Sequence, residues 1–152
     1  YNKIVLSGCL STGNDIASAL QMGADMAYMG TRFINVNESM ADEAYKKMIM
    51  DCSAEDIVYT AAVSGVNASF LRPSLEAMGI TEKHWKDTKK INFGNEEDAI
   101  SEEAKAWKTI WSAGQGVSNI ADTLNISELI YKLKAEFILA IKNQQKLLKQ
   151  YQ

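Results

Sequence analysis

The stretch Lys3-Ile4-Val5-Leu6-Ser7-Gly8-Cys9-Leu10-Ser11-Thr12-Gly13-Asn14, answered downstream by Asp25-Met26-Ala27-Tyr28-Met29-Gly30-Thr31, decides the fold. Ile4-Val5-Leu6 is a short apolar run and reads as a buried strand over residues 3–7. Gly8 to Asn14 is a Gly/Ser/Thr/Asn turn. From Asp15 to Met22 the residues Ile16, Ala19, Leu20 and Gly23 recur close to helical spacing, which predicts a helix. Gly23 suits the position just past a helix end, where left-handed geometry favours glycine. Asp25 to Met29 reads as a second strand, closed by Gly30-Thr31. Strand, turn, helix, turn and strand in so short a span form a βαβ unit, so the two strands lie side by side and parallel.

Downstream of Phe33 the pattern changes. Glu38 to Met50 reads as a helix with Ala41, Ala44, Tyr45, Met48 and Ile49 on one side. Ile57 to Val63 is rich in β-branched and aromatic residues and reads as a strand. Arg72-Pro73 is a break, and Pro73 suits the first turn of a short helix. Residues 81–98 are polar and irregular, and Glu102 to Trp111 reads as helical. Gly114 and Gly116 make a second glycine-rich loop. A last helix runs from Ser127, as its N-cap, to about Leu148, with Leu129, Ile130, Leu133, Phe137, Ile141 and Leu148 along its apolar stripe. Parallel sheets are covered on both faces and carry more strands than these. The chain therefore reads as part of a larger α/β fold, opening inside a core strand.

Composition narrows the function classes. The 152 residues carry 16 basic and 19 acidic side chains, a net charge of −3, which gives no electrostatic reason to bind nucleic acid or an anionic membrane. No apolar run approaches the roughly 20 residues of a membrane-spanning helix, and Tyr1-Asn2-Lys3 does not open a signal peptide. Two cysteines, Cys9 and Cys52, make no disulfide framework, so the expected compartment is the reducing cytoplasm.

Ligands of α/β folds sit at the C-terminal ends of the strands. Both strand ends here carry glycine, in Ser7-Gly8-Cys9-Leu10-Ser11-Thr12-Gly13 and in Met29-Gly30-Thr31-Arg32. Glycine lets the backbone approach a bound group, and free N–H groups on adjacent loops can surround a phosphate, with the Thr31 hydroxyl as a further donor. The bland alternative is a pair of ordinary βα turns.

At these residues the sequence resembles a family. Leu6-Ser7-Gly8-Cys9-Leu10, Ile16-Ala17-Ser18-Ala19-Leu20, Gly23-Ala24-Asp25 and Met29-Gly30-Thr31-Arg32-Phe33 follow one another as in the nitronate monooxygenases. Glu38-Ser39, Ala44-Tyr45-Lys46, Ser64-Gly65 and Ala113-Gly114-Gln115-Gly116-Val117 continue the likeness. It touches most of the chain except about 73–106. The resemblance implies an α/β fold, the C-terminal part of a (β/α)8 TIM barrel (its last two strands) with an added mainly helical domain. Residues 1–33 would be barrel strands seven and eight with their phosphate loops, 34–110 the added domain, and 111–152 a glycine loop and C-terminal helix returning to the barrel. It also implies FMN, with its phosphate on the backbones of Gly8, Cys9, Gly30 and Thr31, Tyr28 and Met29 nearby, and Gly114-Gln115-Gly116 approaching the flavin side. The implied reaction is oxidation of alkyl nitronates with O2 to carbonyl compounds and nitrite. The alternatives are a flavin-type enoyl-acyl-carrier-protein reductase or related NAD(P)H-dependent flavin barrel, and an inactive fragment that needs its N-terminal half. The implied partners are that missing half and a small-molecule substrate, with self-association left open.

The sequence departs from the family pattern at Cys9, where a second glycine is usual, and at Asp42, Val66, Asn67 and Ser118. The family's catalytic histidine has no counterpart here, because His84 sits in the polar run Glu82-Lys83-His84-Trp85-Lys86 and reads as a surface residue. No catalytic residue and no metal site are therefore expected in this chain. Arg32 reads either as an anion holder or as the partner of a carboxylate such as Glu38. Cys9 reads as a small residue in a glycine position rather than a reactive thiol, and Trp111 stands out because it leads into the Gly-Gln-Gly loop.

Overall fold

Strand β1 (Val5–Ser7) pairs in parallel with β2 (Met26–Tyr28), in the register Val5 to Met26, Leu6 to Ala27 and Ser7 to Tyr28. Helix α1 (Gly13–Gln21) makes the crossover. The computed structural model describes residues 2–63, 65–86 and 109–152. The predicted βαβ unit is thus present, with each element shifted by two or three residues at most. The helix starts early because Thr12 and Asp15 form a capping box, the Thr12 hydroxyl accepting from the Asp15 N–H and the Asp15 carboxylate accepting from the Thr12 N–H. It stops where Gly23 turns to φ +100°. The Asp25 carboxylate ties the start of β1 to β2 by accepting from the Ile4 N–H at 2.8 Å and pairing with Lys3 at 3.1 Å.

The one-turn helix α2 (Thr31–Ile34) follows β2, and α3 (Glu43–Asp51) follows after a loop. The predicted helix from Glu38 begins only at Glu43, since Asp42 is the cap and its side chain accepts from the Ala44 N–H. Glu38 has another task described below. Strand β3 (Ile57–Thr60) is shorter than the predicted 57–63, and it pairs antiparallel with a strand the periodicity did not reveal, β4 (Ala68–Leu71). Pro73 then opens α4 (Arg72–Ala77), as expected. Glu82–Lys86 forms a short helix, α5, inside the stretch predicted to be irregular. The rest of that stretch, and residues 102–108 of the predicted helix 102–111, lie outside the described residues. Trp111 itself is not helical, because its carbonyl accepts from the Leu71 N–H and Ser112 bridges to Phe70, so this segment extends the β3–β4 layer.

Helix α6 (Ile126–Leu148) is capped by Asn125 and not Ser127, which lies inside the first turn. Asn125 and Glu128 form a capping box, and both Glu38 carboxylate oxygens accept from the Ile126 N–H at 3.0 Å. Leu129 and Leu133 are buried and Ile130, Phe137 and Ile141 half-buried, while Leu148, at the far end of the expected stripe, is exposed.

Three apolar clusters hold these pieces. Val58, Val63, Phe70, Leu75, Ile80 and Ile110 fill the space under β3–β4. Ile49, Cys52, Leu71, Ala113, Val117 and Ile120 join that layer to α3 and the Gly-Gln-Gly segment. Val36, Leu129 and Leu133 join α6 to the end of β2. Burial of one such leucine or phenylalanine contributes about 2 kcal/mol. The face of β1–β2 away from α1 is different. Val5 is 50% exposed, Met26 48% and Tyr28 62%, which leaves an apolar sheet face in water.

α1 lies against α6 at Gly13. A Cβ there would stand 2.2 Å from the Leu133 carbonyl oxygen and 2.5 Å from the Phe137 nitrogen, so only glycine lets the helices approach this closely.

Candidate functional site

The loop after β1 turns sharply at Gly8 (φ +98°) and Cys9 (φ +57°). Gly8 needs its glycine for that angle, whereas Cys9 holds a left-handed conformation costly for a residue with a Cβ. The loop after β2 passes through Gly30 into Thr31. Together with Gly114 and Gly116, these loops enclose a cavity of 190 Å³, lined also by Ser7, Leu10, Ser11 and Tyr28. Among the described residues no lysine, arginine or carboxylate lines it.

The donor chemistry of this cavity is backbone. Among the described residues the N–H groups of Cys9, Leu10, Gly30 and Thr31 have no protein acceptor. The N-terminus of α1 offers nothing comparable. Ser11 and Thr12 donate their N–H groups to Asp15 Oδ2, each at 2.8 Å, and Gly13 donates to Glu136 Oε2 at 2.7 Å. Two carboxylates already satisfy that helix end and its dipole, so an anion would be held by the loops in front of it.

Gly30 is informative because the protein alone gives no reason for it. Its φ is −101°, open to any residue, and a Cβ there would meet nothing within 4 Å. The missing side chain leaves room for whatever occupies the cavity. A phosphate, which only accepts hydrogen bonds when fully ionised, fits a wall of N–H donors, a hydroxyl and open space.

The Gly114-Gln115-Gly116 segment sits behind the two loops. The Gly114 N–H donates to Thr31 Oγ1 at 2.9 Å, and the Ser11 hydroxyl donates to the Gly116 carbonyl at 2.8 Å. The Cys9 thiol faces Gln115 Oε1 at 3.7 Å. Trp111 supports the segment from below by stacking on Tyr45, with ring centroids 5.1 Å apart and planes 13° from parallel. The Tyr45 hydroxyl donates to the Ser112 carbonyl.

Of the residues expected about a cofactor, Gly8, Cys9, Tyr28, Gly30, Thr31 and Gly116 line one cavity. Gln115 reaches it only through its contact with Cys9. Met29 does not line it, since its partly buried side chain packs against the cluster of Val36, Leu129 and Leu133. Ser11 is absent from the expected cofactor residues, and Gly114, expected with its loop on the flavin side, lines the same cavity as the strand-end loops. Gly116 packs against the Cys9–Ser11 loop.

Arg32 does not line the cavity. Its side chain is 3% exposed and its guanidinium pairs with Asp122 Oδ1 at 2.5 Å while donating to the carbonyls of Asn35 and Asp122. Burial lowers its pKa from the usual arginine value, and Asp122 opposes that shift. Lys132 meets the other Asp122 oxygen at 2.6 Å. The carboxylate partner is thus Asp122 and not Glu38, which caps α6. His84 is exposed and accepts from the Thr81 N–H through Nδ1, a local helix cap. Ser118 turns to the other side, where its hydroxyl accepts from the Ala54 N–H. Among the described residues there is no grouping of acidic, histidine or cysteine side chains able to hold a metal ion, and no helix long and apolar enough to cross a membrane. The acidic run Glu96 to Glu103 lies outside the described residues.

Comparison with known proteins shows the family. A family model described as nitronate monooxygenase matches residues 4–136. A nitronate monooxygenase of Paraburkholderia phytofirmans is 29% identical over 138 residues, covering 88% of this chain and 37% of its own length. Among solved structures, FabK from Thermotoga maritima superimposes with a TM-score of 0.73 at 24% identity, covering 97% of this chain and 48% of FabK. A nitroalkane oxidase from Streptomyces ansochromogenes gives a TM-score of 0.64 at 27% identity, covering 93% of this chain and 41% of that one. The chain spans less than half the length of each of these relatives.

Proposed function

This chain belongs to the nitronate monooxygenase family, and from that premise we propose that it is the phosphate-gripping C-terminal part of an FMN-dependent (β/α)8 barrel that oxidises alkyl nitronates with O2 to carbonyl compounds and nitrite. In this reading residues 1–33 are the last two barrel strands with their loops, 34–110 an added domain, and 111–152 the return to the barrel. The observation that carries the cofactor is the cavity at the two strand ends. Its N–H donors, the Thr31 hydroxyl and the vacant Cβ direction of Gly30 match a phosphate ester.

Size assigns the division of labour. Pockets that enclose a whole small molecule measure roughly 300–1,000 Å³, whereas this one measures 190 Å³. It holds the phosphate end of FMN, with the loop backbones of Gly8, Cys9, Gly30 and Thr31 about the phosphate and Tyr28 at the mouth. The flavin ring would lie beyond this cavity, held by parts of the barrel that this chain does not supply. When bound, FMN supplies the electron acceptor for the nitronate and the route of electrons to O2. The residues of this chain bind and orient it, and no catalytic residue is assigned among them.

Titration of the chain with FMN, followed by 31P NMR, tests the cofactor. The expected result is a shifted or broadened phosphate resonance, with amide shifts confined to the Gly8–Ser11, Gly30–Thr31 and Gly114–Gly116 loops. An unperturbed phosphate at millimolar chain and ligand sinks the reading.

A further inference from the structure

The Gly114–Gly116 segment touches the two strand-end loops at points that control their donors. Thr31 Oγ1 accepts from the Gly114 N–H at 2.9 Å. A hydroxyl that accepts along one direction must point its own proton elsewhere, and among the described residues no acceptor takes the Thr31 proton. Thr31 and Gly114 both line the cavity, which leaves the Thr31 proton available to an acceptor held there. Gly116 acts on the other loop. A Cβ on it would stand 2.6 Å from Ser11 Oγ, and 3.2 and 3.3 Å from the carbonyl carbon and Cα of Cys9. Ser11 is 3% exposed and bonded to the Gly116 carbonyl, so it has little freedom to retreat.

We propose that Gly114 and Gly116 are positioning residues for the phosphate grip: Gly114 turns the Thr31 proton into the cavity, and Gly116, by having no Cβ, seats the Cys9 loop at phosphate distance. This rests on the FMN reading above and moves the Gly-Gln-Gly segment from the flavin ring to the phosphate. The segment is anchored in the α3 and β4 layer through Val117, Ala113 and Ile120. The packing of that layer therefore sets the grip on a cofactor it does not touch.

The test compares FMN with riboflavin, which lacks the phosphate, by flavin fluorescence quenching on the protein that contains the whole barrel. Gly116→Ala weakens FMN about tenfold or more, the scale of one lost hydrogen bond to a charged group, and leaves riboflavin within about twofold. Thr31→Val weakens FMN by a similar factor, while Thr31→Ser, which keeps the hydroxyl, stays near the parent. Equal weakening of both flavins by Gly116→Ala, or parent-like FMN binding by Thr31→Val, overturns the proposal and leaves the cofactor reading standing. A parent chain that binds neither flavin removes the cofactor reading and the proposal together.

Discussion

Gly30→Ala separates a glycine kept for a ligand from one kept for the fold. At φ −101° alanine is unstrained, and its Cβ would meet no atom within 4 Å. Losing glycine's extra freedom in the unfolded chain stabilises by about 0.4–1 kcal/mol. Gly30 also precedes the first residue of α2, where alanine is a poorer cap than glycine by roughly 0.5–1 kcal/mol. The two terms nearly cancel, so stability stays within about 1 kcal/mol of the parent, or about 3 °C in a melt of a chain this size. The ligand term does not cancel. Gly30 lines the cavity, and on the phosphate reading an added methyl would crowd the phosphate away from the Gly30 and Thr31 N–H groups. One charge-assisted hydrogen bond lost is worth about 1.5–3 kcal/mol, a drop in FMN affinity of roughly ten- to a hundredfold. Thermal melts and FMN titration on the same preparation read both effects. A destabilisation beyond about 2 kcal/mol would show that the space is not open, and unchanged FMN affinity would show that the glycine is not kept for the phosphate.

Further outcomes follow from the same contacts. Gly13→Ala drives a Cβ to 2.2 Å from the Leu133 carbonyl, and urea unfolding should show a loss of about 3 kcal/mol; a loss under about 1 kcal/mol means the α1–α6 approach is looser than described. Asp122→Ala leaves the buried Arg32 guanidinium without its carboxylate. A fully buried pair broken this way costs about 3–5 kcal/mol, and the partial exposure of Asp122 brings the expectation down to about 2 kcal/mol; Arg32→Met in the same background should restore part of it. Exposed Cys9 should react with a thiol reagent well before buried Cys52, and FMN should slow Cys9 alone; equal rates contradict the burial. Burial first, then the nearby carboxylates of Asp56 and Asp51, raises the Cys52 pKa above its ordinary 9.0. The folded state then keeps a proton that the unfolded state loses, so this contribution is whole below pH 9.0 and is lost as pH rises through the folded value. Urea midpoints measured upward from pH 8 should fall less steeply in Cys52→Ala than in the parent.

Local chemistry explains what could be read from residues in order. Ile4-Val5-Leu6, the periodicity of Ile16 and Leu20, and Gly23 after the helix are all short-range signals, and they describe a βαβ unit that the structure contains. The strand Ala68–Leu71 escaped because four residues beside a proline carry almost no period, and its partner β3 is as short. Ser127 looked like a cap, yet Asn125 holds that place because Glu128, three residues on, and Glu38, from a distant loop, both serve the same helix end.

The sequence by itself determined the family resemblance and the glycines at both strand ends, since backbone conformation and close approach depend on the residue at the position. Which of those glycines face a cavity, and with what neighbours, only the tertiary structure decided. Met29 is one residue from Gly30, but it packs against the cluster of Val36, Leu129 and Leu133. Gly114 is 83 residues from Thr31 in the chain and 2.9 Å from it in space. A hydrogen bond between groups so far apart in sequence is set by the packing of α3, β4 and the Gly-Gln-Gly segment together, and no local pattern encodes it.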